Sequence, residues 1–379
     1  MSLIISCDRY HILDGKLTIP VAKKDSNLLG QLANKPWVFV TDDSLILAQS
    51  RYDREENIED IHRIDAACRL EEDIFLTSPF DIANGFTPQY CTRYSKDSIT
   101  KDSPIDPQSK IIGPLGNFAE SLVDKKYHNA NSYAEKPYLV PFLQRYSIIV
   151  DIEDEESVHR LWRDYREYLE GRNLFIKNPY HKDVNGCVDA SKVTDNDSFD
   201  PFYLFKMLET NPVFDYWAYQ TPRFLLVQEE MVMNYETRFF VVDGVVISAS
   251  GRVIDFIPTQ LSIDNPFYYA RKAVQHQSRG GDNQKVVDNP YYDSMVNYVQ
   301  NIIKTVECHE KDTVTCVFDI AWSPEKKSPV LVEVNGISNS GLYGCSAGAI
   351  YQKLYDNNCY QGLTLGDCRK EMDKLLGKN

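Results

Sequence analysis

Between Glu155 and Glu170, Val158, Leu161, Trp162, Tyr165 and Leu169 recur at steps of three and four, a spacing that predicts an amphipathic helix. Acidic residues from Glu153 to Glu156 suit the positive end of its dipole, and Gly171 ends it. A short apolar run, Leu174-Phe175-Ile176, predicts a strand that delivers Lys177 at its end. Three further strands are expected at Phe224 to Glu229, Arg238 to Val242 and Val245 to Val253. The last two are joined by Asp243-Gly244, a dipeptide that marks hairpins. A polar excursion from Ile254 to Asn289, most flexible at Ser278 to Gly281, precedes a helix around Tyr292 to Val306. Two final strands, Val314 to Ala321 and Val330 to Val334, are expected to pair antiparallel across the turn-rich Ser323 to Pro329. The N-terminal hundred residues give shorter signals. Trp37 to Val40 and Ile74 to Leu76 look like strands, Arg51 to Asp65 is a charged stretch, and Lys96 to Lys110 has the composition of a linker or solvated loop.

With 379 residues, the chain suits two or three compact units, and 43% hydrophobic with 25% charged residues is the composition of a folded protein. The formal charge of −14 excludes global affinity for nucleic acid or an anionic membrane. Nine cysteines without a C-x-x-C pair suit free thiols in a reducing compartment, and no zinc motif is visible. The first residues carry no basic export signal, and no apolar run is long enough to span a bilayer, so a cytoplasmic protein is expected.

Chemistry concentrates in the last strand pair. Asp319 lies in Val317-Phe318-Asp319-Ile320-Ala321, and Glu333 and Asn335 lie in Leu331-Val332-Glu333-Val334-Asn335-Gly336. Residues two apart on a strand share a face, so Glu333 and Asn335 point together, and Asp319 on the neighbouring strand can join them. Acids set among large apolar residues need a cationic partner, and a hard divalent ion bound to phosphates, Mg²⁺, is the natural candidate. The plain alternative is that they occupy the solvent face of a hairpin.

Upstream, Val227-Gln228-Glu229-Glu230-Met231-Val232 is followed by Glu236-Thr237-Arg238-Phe239-Phe240 and the Asp243-Gly244 turn. This order resembles the ATP-grasp superfamily over roughly Ser121 to Leu354, and Glu236 to Phe240 is similar to the E-x-R-x-F pattern of its divergent clade marked by one arginine and two lysines. That clade includes phage proteins and the eukaryotic initiation-factor-2 assembly chaperone family. The resemblance implies an α+β fold: two ATP-grasp lobes at 111–223 and 224–379, after an additional α/β domain at 1–110. It implies ATP and Mg²⁺ as cofactors. Lys177 resembles the phosphate lysine, Lys125 or Lys126 the earlier lysine, Gln228, Glu229 and Met231 the adenine hinge, Glu236 the ribose acid, and Asp319, Glu333 and Asn335 the metal ligands. Arg238 and Arg252 are the candidate catalytic cations. The implied reaction is carboxylate–amine ligation through an acyl phosphate, and the alternatives are an ATP-binding assembly factor or a kinase. Asp319→Ala or Glu333→Ala is expected to abolish Mg·ATP turnover with the fold intact.

Two positions depart from the family pattern. Asn185-Gly186-Cys187 stands in place of a Gly-rich lid, and Val317 stands where several amino-acid ligases carry arginine. Either Arg252 supplies that charge from another strand, or ATP is bound without amide formation. The small-residue run Asn335 to Ser346 resembles an acceptor-substrate loop whose N–H groups hold a carboxylate or acyl phosphate, and a Gly-permissive connector is the plain alternative. Cys345 reads as a buried thiol rather than a nucleophile. The acceptor and amine stay unassigned, and the acidic surplus suits a polyamine or basic peptide as well as mere solubility.

Overall fold

The computed structural model describes residues 2–6, 11–13, 16–18, 51–70, 73–77, 90–95, 98–104, 110–112, 136–177, 185–188, 223–252, 265–275, 285–337 and 340–357, with Leu28, Gln31 and Tyr133. Lys125, Lys126, the strand expected at 37–40 and the tract at 278–281 lie outside the described residues.

The N-terminal part contributes β1 (Ser2–Ser6), a hairpin of β2 (His11–Leu13) and β3 (Lys16–Thr18), and helix α1 (Arg51–Leu70). Strands β4 (Asp73–Thr77), β5 (Tyr90–Ser95), β6 (Ser98–Pro104) and β7 (Lys110–Ile112) follow. They form a five-stranded sheet in the order β6-β5-β4-β1-β7, with β1 parallel to β4 and β7. The tract expected to be a linker is therefore mostly strand. Strand β6 pairs along the sheet edge, where backbone hydrogen bonding needs no apolar side chains and Lys and Pro are at home.

The second unit begins with α2 (Val140–Leu143) and β8 (Ser147–Asp151), then α3 (Glu155–Asp164), whose last turn winds on as a π-helical turn at Tyr165–Leu169. All five residues of the expected apolar face are buried, the Asp154 side chain caps the start by accepting from the Glu156 N–H, and Gly171 leaves the helix at φ +76°. Strands β9 (Leu174–Lys177), β10 (Asn185–Val188) and β11 (Phe224–Glu229) complete an antiparallel sheet in the order β10-β9-β11-β8. Asn185 to Val188, which include the tripeptide standing in place of a Gly-rich lid, pair with β9. Helix α3 packs on β8 and closes a core around Leu161, Trp162, Ile176 and Val227.

The third unit is built from β12 (Asn234–Val242), β13 (Val245–Gly251), the small hairpin β14 (Lys272–Val274) and β15 (Val286–Asp288), α4 (Tyr292–Glu310), β16 (Cys316–Ser323), β17 (Ser328–Asn335) and α5 (Ala347–Asp356). Its antiparallel sheet runs β13-β12-β16-β17. Asp243 and Gly244 both have positive φ, 51° and 71°, as the tight hairpin turn requires. Helix α4 lays Met295, Val299 and Ile302 on Phe239, Phe318 and Leu331 to form the core of this unit. Helix α5 covers the other face against β12 and β13, and α1 packs on α5. The architecture is α+β. Among the described residues, no helix is long and apolar enough to cross a membrane.

The β14–β15 hairpin occupies part of the expected excursion and presses on β12 and β13. At its closest approach, a Cβ added to Gly251 would stand 1.8 Å from the Lys272 carbonyl oxygen. Backbone there cannot yield as a flexible side chain would. Gly251→Ala is therefore expected to cost about 3 kcal/mol, the upper end of overpacking penalties, read as a lowered urea midpoint at unchanged slope.

Candidate functional site

Two bulges shape the site. On β17, Ile320 pairs with Leu331 but Asp319 pairs with Glu333, so Val332 is an extra residue. Leu331 and Val334 both enter the core beneath the sheet, and the bulge turns Glu333 to the opposite face, directly across from Asp319. On β12, an extra residue falls between Asn234 and Thr237, with Tyr235 at φ 55°. Asn289 fixes this irregularity by donating to the Tyr235 carbonyl at 3.4 Å and Thr237 Oγ1 at 3.2 Å. Beyond it, Phe239 faces the core, so Glu236 and Arg238 face the same side as Asp319.

Asp319, Glu333 and Asn335 converge as the sequence predicts. Asn335 Nδ2 donates to Glu333 Oε1 at 2.9 Å and to Asp319 Oδ2 at 3.3 Å. Asn335 Oδ1 is buried with no hydrogen-bond partner. The solvent-face alternative fails for Asp319 and Asn335, which are 1% and 0% exposed.

Each acid here has a cation. Arg238 holds Asp319 through two bonds, Nε to Oδ1 at 2.8 Å and Nη2 to Oδ2 at 2.7 Å. Burial works against the Arg238 charge, but Asp319 outweighs it and holds the guanidinium well above its ordinary pKa. Lys177 reaches across from the second sheet to Glu333 at 3.2 Å and lies over the Tyr133 ring. Burial likewise disfavours its ammonium, and Tyr133 with Glu333 reverse the balance, raising its pKa. Arg252 pairs with Glu236 at 3.1 Å, and Glu236 with Tyr343 holds it above the usual arginine value. Among the described residues, no three His, Cys, Asp or Glu side chains form a metal-binding group. The oxygen set is two acids and an amide, and these hard donors, with the orphaned Asn335 Oδ1, fit Mg²⁺.

The expected hinge connects β11 to β12. Gln228 is fully buried, accepting from Arg145 Nη2 at 3.2 Å and donating to Ser147 Oγ at 3.0 Å. Glu229 pairs with Arg172. Their side chains are thus committed inside the fold, whereas Met231 is half-buried and Val232 is 66% exposed.

From Gly341 to Ser346 the run after β17 is tied down. Gly341 O accepts from Arg238 Nη1 at 2.9 Å, and the Tyr343 ring, on a residue at φ 50°, lies 4.3 Å from the guanidinium carbon. The N–H groups of Leu342 and Tyr343 donate to Glu59 of α1, that of Gly344 to Ser250 Oγ and that of Ser346 to Ser248 Oγ. The expected anion-binding N–H groups at these positions already have protein acceptors, and the loop is not a slack connector. Cys345 is buried, which pushes its thiol up to about 12, away from any nucleophilic role at neutral pH.

No family of known proteins matches the sequence, and no curated protein does. Among solved structures, the chain is similar to D-cycloserine synthetase DcsG, at 13% identity over 94% of this chain and 99% of that one, with a TM-score of 0.41. It is similar to D-alanyl-alanine synthetase A from Vibrio cholerae O1 biovar eltor at 11% identity over 98% of both chains, with a TM-score of 0.40. A third is D-alanine-D-alanine ligase from Coxiella burnetii, at 13% identity over 85% of this chain and 94% of that one, with a TM-score of 0.42. Likenesses this distant assign no role to any residue here.

Three site residues escape sequence reasoning. Arg145 donates to the carbonyl of the bulged Val332 at 2.8 Å, and Tyr133 shares that carbonyl at 3.3 Å. Arg145 is buried with Nε unpaired, and burial pulls its pKa down. The available signal is an arginine three residues before the apolar run Ile148 to Val150. Glu59 is hidden in the charged stretch from Arg51 to Asp65, whose composition carries no sign of burial.

Proposed function

We propose that this chain is an ATP-grasp enzyme, a Mg·ATP-dependent carboxylate–amine ligase. The observation that supports it best is the meeting of two sheets at one polar centre, with Lys177 of β9 against Glu333 of β17 beside Asp319 and the unpartnered Asn335 Oδ1. Asp319, Glu333 and Asn335 would hold Mg²⁺, which supplies charge neutralisation and orientation of phosphate oxygens. We assign an N-terminal unit at 1–110 and two lobes expected at 111–223 and 224–379, and the pairing of β11 with β8 and β9 favours moving the division between the lobes from 223 to the 230–233 connector.

The chain's own groups suit phosphoryl transfer, which needs positioning and charge more than covalent help. Lys177, Arg238 and Arg252 are the cations at hand for phosphate oxygens. Met231 and Val232 offer an apolar wall for adenine, with hydrogen bonds left to the connector backbone. In the reaction, a substrate carboxylate oxygen takes the γ-phosphoryl group as its bond to the β-phosphate oxygen breaks, and ADP leaves. An amine nitrogen then attacks the acyl carbon, phosphate departs, and the amine loses a proton. Amine substrates, polyamines or basic peptides among them, suit the net acidic chain, and a cytoplasmic setting supplies the ATP.

Isothermal titration with Mg·ATP, followed by ADP and free-phosphate release over a panel of carboxylates and amines, tests this. Lys177→Met is expected to weaken Mg·ATP binding about 10- to 100-fold, the worth of one charge-assisted contact. Failure of the unaltered protein to bind Mg·ATP rejects the proposal. Phosphate retained covalently on the acceptor would make the enzyme a kinase instead.

A further inference from the structure

Building on the ligase reading, we propose that Glu59 is a positioning residue, through which the N-terminal unit sets the catalytic Arg238. Helix α1 is buried almost all round from Asn57 to Ala67, and Glu59 is 3% exposed. Its Oε1 accepts from two consecutive backbone N–H groups of the post-β17 loop, Leu342 at 2.8 Å and Tyr343 at 3.1 Å. Its Oε2 accepts from Arg63 Nη2 at 2.7 Å, and Arg63 in turn holds Asp60 at 3.0 Å. Glu59 is thus fixed from its own helix and grips the loop from outside the C-terminal sheet.

The grip has a direct consequence one residue away. Gly341 carries the carbonyl that accepts from Arg238 Nη1, and Tyr343 carries the ring against that guanidinium. Gly341 itself lies so close that a Cβ there would stand 3.3 Å from Glu59 Oε1 and 3.6 Å from Arg238 Nη1. Three points therefore fix the guanidinium: Asp319, the Gly341 carbonyl and the Tyr343 ring. The last two stay in place because Glu59 holds the amides between and beside them. A carboxylate taking two N–H groups resists loop movement more than a neutral acceptor does. An arginine that must neutralise developing phosphate charge gains from being set in advance.

The experiment compares Glu59→Ala and Glu59→Gln with the unaltered full chain. Deuterium exchange of the peptide spanning 340–346 is read by mass spectrometry, with a peptide from α4 as internal control. Mg·ATP affinity and ADP formation are measured separately. Glu59→Ala is expected to speed loop exchange about 10-fold or more while α4 is unchanged, since two hydrogen bonds to a charged acceptor are lost. ADP formation per bound nucleotide falls about 10-fold or more, and Mg·ATP affinity falls by less than that, because Lys177 and Arg252 are untouched while the placing of Arg238 matters most as phosphate charge develops. Glu59→Gln keeps an acceptor oxygen and retains most of the protection. Unchanged loop exchange in Glu59→Ala overturns the proposal, as does a loosened loop with undiminished ADP formation, or a glutamine variant as loose as the alanine one. If the unaltered protein binds no Mg·ATP, the ligase reading falls, and the exchange arms alone decide whether Glu59 holds the loop.

Discussion

Asp319→Ala is expected to lose about 3–5 kcal/mol of folding stability as well as all metal-dependent nucleotide binding. The first loss comes from Arg238. Its guanidinium, 4% exposed, gives two of its donors to Asp319, and without that carboxylate a buried charge is left with the Gly341 carbonyl and the Tyr343 ring alone. Removing one member of a buried pair costs more than the pair contributes, because the survivor has lost its water and gained nothing in return. Glu333 behaves differently. Its side chain is 25% exposed but the Lys177 it meets at 3.2 Å is only 12% exposed, so Glu333→Gln, which keeps an amide oxygen for the ammonium, is expected to cost less than Asp319→Ala, about 1–3 kcal/mol. Sequence alone suggests that substitution of either acid leaves the fold intact, and the bidentate contact to Arg238 revises this for Asp319. Urea unfolding of both variants, alongside Mg·ATP titration, separates the two effects. An Asp319→Ala protein as stable as its parent would mean that Arg238 has solvent or another acid within reach.

The convergence of Asp319, Glu333 and Asn335 was readable because it violates a local rule: acids and an amide interrupt strands that otherwise carry Phe, Ile, Val and Leu, and period-two spacing puts Glu333 and Asn335 on one face. Lys177 was readable as the polar end of an apolar strand. What sequence could not supply is the bulge at Val332. A regular β17 would send Glu333 to the same side as Leu331, into the core, and nothing in Val-Leu-Val-Glu-Val-Asn marks where the extra residue falls. The segment expected as a hinge includes the connection from β11 to β12, yet the side chains of Gln228 and Glu229 serve Arg145 and Arg172, because partners 57 or more residues away in sequence leave no local trace. Helix α1 is the plainest case. In sequence it is only a charged stretch, and the packing of α1 on α5 and over the loop shows that Asn57, Glu59, Asp60 and Arg63 are interior.

Metal-free ATP is expected to bind Glu333→Gln more tightly than the unaltered protein, by about 10-fold, whereas Mg·ATP binds it more weakly. The reasoning starts from charge balance. Glu236, Asp319 and Glu333 are matched one to one by Arg252, Arg238 and Lys177, so the centre is close to neutral before any ligand arrives. A triphosphate alone must draw cations from their carboxylates and leave buried acids uncompensated, while a divalent ion alone must draw acids from their cations. Offered together, each ligand takes what the other releases. In the unaltered protein, saturating Mg²⁺ is therefore expected to tighten ATP about 100-fold, a coupling of about 2.7 kcal/mol, and by reciprocity ATP tightens Mg²⁺ by the same factor. Glu333→Gln breaks the exchange at one pair. It frees Lys177 for phosphate without any metal and removes one of the oxygens the metal needs, so the two affinities move in opposite directions. Because Mg²⁺ and ATP also associate in solution, the decisive quantity is the difference between the two proteins, titrated with ATP in chelator and again in excess Mg²⁺. Equal Mg²⁺ dependence in both would show that Lys177 is not held in reserve by Glu333. A crossing of the two affinity orders is the signature of partner exchange at a centre whose charges are already paired.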